Sequence, residues 1–155
     1  MLNSLSRRRS LFPLLALTIL LAALSGALTG CSGEAPAGEH KFPLAALHEL
    51  PEEVQDAPVA VLEAYQFAFA NPDVLQELPC YCGCGSMGHT SNYDCYVARE
   101  DVEGLITYDS HALGCSICVD ITQDAMRMLD QGKDLKEIRT YVDDTYAQYG
   151  PSNMP

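Results

Sequence analysis

The residues of this chain best suited to chemistry are six cysteines within 39 positions. Pro79-Cys80-Tyr81-Cys82-Gly83-Cys84-Gly85 carries three of them at C-x-C-x-C spacing, Cys95 follows, and Cys115-Ser116-Ile117-Cys118 supplies a C-x-x-C pair. Alternate residues of an extended segment project to the same side, and glycine lets the backbone curl, so Cys80, Cys82 and Cys84 can converge on one point. A disulfide between neighbours in such a triplet closes a very small, strained ring. Soft thiolates select Cu(I), Zn(II) and related ions. Two imidazoles lie in the same stretch, His89 in Met87-Gly88-His89 and His111 in Asp109-Ser110-His111. The candidate ligand set is therefore Cys80, Cys82, Cys84, Cys95, Cys115 and Cys118, with His89 or His111 completing the shell. Six thiolates exceed the four of one tetrahedral zinc site, so the set implies two ions or a small Cu(I) cluster. The excess of soft donors favours Cu(I), with Zn(II) second.

Two other readings of the same residues compete. Three disulfides are the usual fate of exported cysteines, and each member of the triplet can seek a different partner among Cys95, Cys115 and Cys118. A C-x-x-C at a helix N-terminus has a lowered thiol pKa and suits thiol–disulfide exchange, although the βαβ pattern of a thioredoxin-like domain is missing. Val119 stands where a c-type haem site needs histidine. Glu52-Glu53 and Asp143-Asp144 are adjacent acids that do not face one another on a helix, and no phosphate loop or dinucleotide fingerprint occurs, so conventional catalysis is not expected. A net charge of −12 argues against nucleic acid.

Helices must position these ligands. Periodicity predicts one from Pro58 to Ala70 with Val61, Leu62, Tyr65, Ala68 and Phe69 inward, stopped by Asn71-Pro72, and a short one through Leu78 capped by Asn71. Another carries Cys115, Cys118, Ile121, Ala125 and Met128 on one face and ends at Gln131-Gly132. The last places Leu135, Ile138, Val142, Thr145 and Tyr149 inward and stops at Gly150-Pro151. Residues 79–114 have no sustained period beyond a short strand over Leu105–Tyr108. The expectation is a mainly α single domain of about four helices over 52–155, with a long irregular Cys-rich loop and a short β-hairpin.

The N-terminus reads as an export signal over residues 1–30. Arg7, Arg8 and Arg9 precede an apolar run from Leu11 to Leu24 and the small residues Ser25-Gly26-Ala27. Leu28-Thr29-Gly30-Cys31 resembles the lipobox of bacterial lipoproteins, which implies a diacylglycerol thioether on Cys31 and a chain anchored outside the cytoplasmic membrane. Residues 31–51 hold Pro36, Pro43, Pro51, Gly33 and Gly38 and read as a tether; twenty such residues reach about 25 Å. His40 and His48, in or beside it, are expected to be solvated. A delivery role would add an extracytoplasmic metal donor or acceptor protein as partner.

The long irregular motif resembles the bacterial PCYCGC-motif lipoprotein family. The likeness rests on Leu78–Gly85, Gly88-His89, Ser91-Asn92, Cys95-Tyr96-Val97, Asp109, His111 and Gly114–Ile121. It extends upstream to Ala64-Tyr65-Gln66-Phe67-Ala68 and downstream to Lys136-Glu137-Ile138-Arg139, covering about residues 50–150. One departure is Thr107-Tyr108, where a tryptophan or similar residue is expected ahead of Asp109. The resemblance implies an extracytoplasmic cysteine-rich domain and fixes no reaction; metal binding is inferred from the thiols themselves.

Overall fold

A computed structural model describes residues 40–101 and 105–154. Cys31, the segment expected to be an export signal and the first part of the expected tether lie outside the described residues.

The described chain is mainly helical. Its elements are α1 (Glu52–Gln55), α2 (Val59–Ala70), α3 (Pro72–Leu75), α4 (Ser116–Asp130) and α5 (Leu135–Tyr146), with strands β1 (Val97–Glu100) and β2 (Ile106–Tyr108). Five α-helices thus replace the expected four. None of them is long and apolar enough to cross a membrane.

α2 packs on α4, and α4 on α5. α4 turns Cys118, Val119, Ile121, Thr122, Ala125, Met126 and Met128 inward. Its polar residues Asp120, Gln123, Asp124 and Arg127 fall outside this set, so the stripe is sharp. In α5 the buried residues are Ile138, Val142 and Tyr146, and Asp134 with Glu137 forms a capping box at its start. Tyr149, expected inward, lies beyond the helix end and is exposed. α2 is apolar on nearly every side, so spacing alone misidentifies its face: Ala64, Tyr65, Phe67 and Ala68 are buried, while Phe69 is only partly so.

The fifth helix, α1, follows directly on the segment read as tether. Residues 40–51 lie on the domain despite their prolines. Phe42 meets Phe67 edge-on at 4.8 Å, Leu50 is buried, and Asn71 donates to the Pro43 carbonyl at 2.9 Å. His40 is not simply solvated: its Nδ1 sits 2.7 Å from Asp130 Oδ2. His48 is exposed. The apolar residues between the prolines decide the outcome, because Phe42, Leu44 and Leu50 gain more by burial than an extended segment loses in chain entropy. Asn71 stands at the N-cap of α3, but its side chain makes no capping bond there. Its side chain also donates to the Phe67 carbonyl at 2.8 Å, closing the end of α2 instead.

The irregular stretch contains the hairpin. β1 and β2 pair antiparallel, Val97 against Tyr108, Arg99 against Thr107 and Glu100 against Ile106, with an irregularity between Val97 and Arg99. The rest is a series of single 3-10 turns, Cys84–Met87, Tyr93–Cys95 and His111–Leu113, each ending or beginning on a candidate ligand.

Candidate metal centre

The C-x-C-x-C turn owes its shape to glycine and to the chain's C-terminus. Gly83 takes φ 88°, a left-handed conformation that lets Cys84 turn back toward Cys80. Asn153 then clamps the turn from both sides. Its backbone N donates to the Cys80 carbonyl (3.1 Å), its Oδ1 accepts from Cys80 N (2.7 Å), and its Nδ2 donates to the Ser91 carbonyl (2.9 Å) and contacts Cys84 Sγ (3.5 Å). Gly150 makes this approach possible, since a Cβ there would lie 2.8 Å from the Tyr81 carbonyl oxygen. Sequence reasoning passed over Asn153, because nothing nearby in sequence marks a terminal asparagine as a partner of the turn.

A buried polar network brings the other ligands to the turn. Asn92 N donates to the Leu78 carbonyl (2.8 Å), and Asn92 Nδ2 to Thr122 Oγ1 (3.0 Å). Tyr96 donates its hydroxyl to the Cys118 carbonyl (2.9 Å) and lies 2.7 Å from Thr122 Oγ1. The Cys95 turn and the α4 end bearing Cys118 are thereby fixed to each other. Asp109 holds His111 in place, its Oδ1 accepting from His111 N at 2.7 Å.

Five sulfurs and one imidazole gather as a result. Cys80 Sγ lies 3.4 Å from Cys82 Sγ and 3.5 Å from Cys118 Sγ, and Cys82 lies 3.6 Å from Cys118. Cys84 is 3.7 Å from Cys95, and His111 Nε2 is 3.4 Å from Cys82 Sγ. All six cysteines of the described residues are free thiols. A covalent S–S bond is about 2.0 Å long. Four thiolates around Zn(II) at about 2.3 Å have tetrahedral edges near 3.8 Å, close to the spacings seen here. Two four-ligand groups come near this spacing: Cys80, Cys82, Cys84 and Cys95, and then Cys82, Cys95, His111 and Cys118, with all ligand atoms of a group within 4.8 Å of one another. Cys82 and Cys95 belong to both. The geometry can hold a metal ion.

Two of the eight candidate residues lie outside these groups. Cys115 is the N-cap of α4, where its Sγ accepts from Cys118 N at 3.3 Å. His89 stands one imidazole away from the sulfurs, its ring 5.3 Å from that of His111 and edge-on to it. Met87 is exposed.

The electrostatics are those of a crowded acid cluster. Hydrogen bonding from Cys118, then from Cys95, favours the Cys80 anion and pulls its pKa down against the cost of burial. Burial first, and then the Cys80 charge, push Cys82 and Cys84 up. At Cys95 the Cys118 hydrogen bond pulls down, but the Cys80 contact, burial and nearby sulfur charge outweigh it and the thiol is raised. Cys118 is raised by donating to Cys115 and Cys80. Cys115, accepting from Cys118, falls to about 6. The leading influences on every sulfur are other sulfurs and burial, not a lysine or arginine. Only a cation at the centre would let the remaining thiols ionise together.

No curated protein and no solved structure matches this chain. A family model does, over residues 20–155, and its description is "Protein of unknown function with PCYCGC motif". The turn Pro79–Cys84 is that motif, and the match covers the whole described domain: the chain belongs to the PCYCGC-motif family.

Proposed function

We propose that this chain is a metal-handling lipoprotein, held on the outer side of the cytoplasmic membrane by lipid on Cys31, which binds Cu(I) through clustered cysteine thiolates. Zn(II) is the second choice of ion. One observation carries the reading: two four-ligand groups overlap on Cys82 and Cys95, the arrangement needed for two ions bridged by shared sulfur. The donor count favours Cu(I) in this reading. Five thiols and one imidazole exceed the needs of a single structural zinc, and soft sulfur suits Cu(I) most. The ion is cargo here, buffered, stored or passed to an extracytoplasmic partner protein. Cys82 and His111 are only half buried, so the cluster has an open edge at which cargo can exchange.

Anaerobic reconstitution with Cu(I), or with Zn(II), followed by elemental analysis, tests the reading. About two ions per chain are expected. Protein that retains neither metal defeats it.

A second reading has one observation in its favour. Cys115 is half buried, has its pKa lowered to about 6 and neighbours Cys118, which are properties of an attacking thiol in disulfide exchange. Insulin reduction that is abolished by Cys115→Ser would establish it; no activity in the unaltered chain would remove it.

A further inference from the structure

Of the six thiols among the described residues, the two four-ligand groups leave one over. Cys115 belongs to neither group, and it is half buried, with exposed Gly114 and Ser116 on either side. Cys82 is the one other cysteine of the described residues that is not buried, and it is a ligand of both groups. Cys80, Cys84, Cys95 and Cys118 are buried. A reagent arriving from solvent therefore meets a sulfur that is not committed to metal at Cys115 alone.

A plain capping role does not account for this residue. Cys115 stands at the N-cap of α4, where its Sγ accepts from Cys118 N at 3.3 Å, a task that serine, threonine, aspartate and asparagine perform in most helices. The cap bond has a second effect: it holds the spare sulfur over Cys118, whose own thiol interacts with it. Cys118 is the one sulfur that only the second group uses. The accessible thiol thus touches the sulfur whose loss would dismantle the second site and leave the first complete.

We propose that Cys115 is a modification site for small organic disulfides, and that its reaction ejects the second ion by joining Cys115 to Cys118. The inference rests on the metal-handling reading above and adds what releases the cargo. In the first step the Cys115 sulfur attacks a disulfide RSSR. A Cys115–SR bond forms, the S–S bond of the reagent breaks, and one RS⁻ leaves, taking the Cys115 proton as RSH. In the second step the Cys118 sulfur gives up its bond to the ion and attacks Cys115. The Cys115–Cys118 bond forms, and the second RS⁻ leaves and takes a proton from solvent. Two electrons pass from the cysteine sulfurs to the reagent, and the ion keeps its oxidation state. C-x-x-C is the spacing at which redox proteins close such a bond. What remains beside the second ion is His111 with Cys82 and Cys95, both of which the first ion shares.

The test is anaerobic exposure of the full chain, loaded with Cu(I), to millimolar glutathione disulfide, followed by desalting, elemental analysis and peptide mapping. About one of two ions should leave, and Cys115 should be found joined to Cys118. Reduction with dithiothreitol and fresh Cu(I) should restore the second ion. Cys115→Ser keeps a capping oxygen but no attacking thiol, so it should load like the unaltered chain and release copper at least about tenfold more slowly. Equal release from the two chains overturns the proposal. So does a Cys115 mixed disulfide that persists with both ions bound, or a first disulfide at any other pair; these outcomes are read in the unaltered chain and need no variant. Loss of an ion by Cys115→Ser before disulfide is added would make Cys115 a ligand and overturn it too. An unaltered chain that holds no copper removes the metal-handling reading and this release together, whereas normal loading with no loss to glutathione disulfide removes the release alone.

Discussion

The two four-ligand groups are built by different means. Cys80, Cys82, Cys84 and Cys95 come from one segment, shaped by a left-handed glycine and two small turns. The second group borrows Cys82 and Cys95 from that segment but takes Cys118 from α4 and His111 from the end of the hairpin. It exists only when α4, the hairpin and the Cys-rich turn are docked. The first group is thus drawn from one stretch of sequence, clamped by Asn153, and the second depends on the docking of three elements. The first is also all sulfur, while the second includes an imidazole at the half-buried edge. An ion in the first should be held more firmly, and an ion in the second should be the one exchanged.

The sharpest way to break this comparison is to remove what the groups share. Cys95→Ser takes a ligand from both, so metal content should fall from about two ions to none that survives desalting. Cys118→Ser should remove the second ion only, and His111→Ala should weaken that same ion without touching the first. Elemental analysis of the three variants side by side separates shared from unshared ligands. Loss of both ions in Cys118→Ser would show that the groups are one indivisible site.

Packing tests the fold-dependent half. Ile121 is fully buried on α4, one turn beyond Cys118, and Ile121→Ala should cost about 2–5 kcal/mol in metal-free stability by denaturant unfolding. Near the unfolding midpoint the second ion should be lost before the first. Asn153→Ala removes the side-chain contacts on the first turn and should cost about 1–3 kcal/mol, because it leaves the Cys80 N–H unpaired in a buried place.

The smallest expected effect is at Cys115, which belongs to neither group. Cys115→Ser should leave metal content unchanged. In the metal-free chain its alkylation by iodoacetamide should rise with pH through about 6 and level off above it, as the thiolate becomes the dominant form, while the raised thiols Cys82, Cys84, Cys95 and Cys118 react only at higher pH. Metal binding at those four must displace protons, so apparent affinity should fall as pH falls; titration with a weakly buffered pH indicator reads the release directly.

How much of this was legible in sequence follows the same division. The C-x-C-x-C turn announces itself, because thiols two apart project to the same side of an extended segment. α4 and α5 were readable because each is amphipathic. α2 was placed within one residue, yet Phe67 rather than Phe69 is fully buried, since an apolar helix carries no period to read. The tether is shorter than its proline and glycine content suggests, because Phe42, Leu44 and Leu50 pack on the core. β2 was visible as Ile-Thr-Tyr, but Val97-Ala98-Arg99-Glu100 lacks the alternation that would name its partner. His89 and His111 look equivalent in sequence; only the fold separates them, placing His111 Nε2 3.4 Å from Cys82 Sγ and leaving His89 outside both groups. Asn153 could not be found at all, as its partners lie 62 to 73 positions away.

The central claim, that these sulfurs meet as anions around a soft cation, is tested most directly by native and denaturing mass spectrometry of protein isolated without oxygen. The account predicts a native mass that includes bound metal, and a denatured, metal-stripped chain in which Cys80, Cys82, Cys84, Cys95, Cys115 and Cys118 all alkylate without prior reduction. A metal-free native mass, with a chain that gains six hydrogens on reduction before any of these cysteines can alkylate, would show three disulfides in place of the cluster and contradict it.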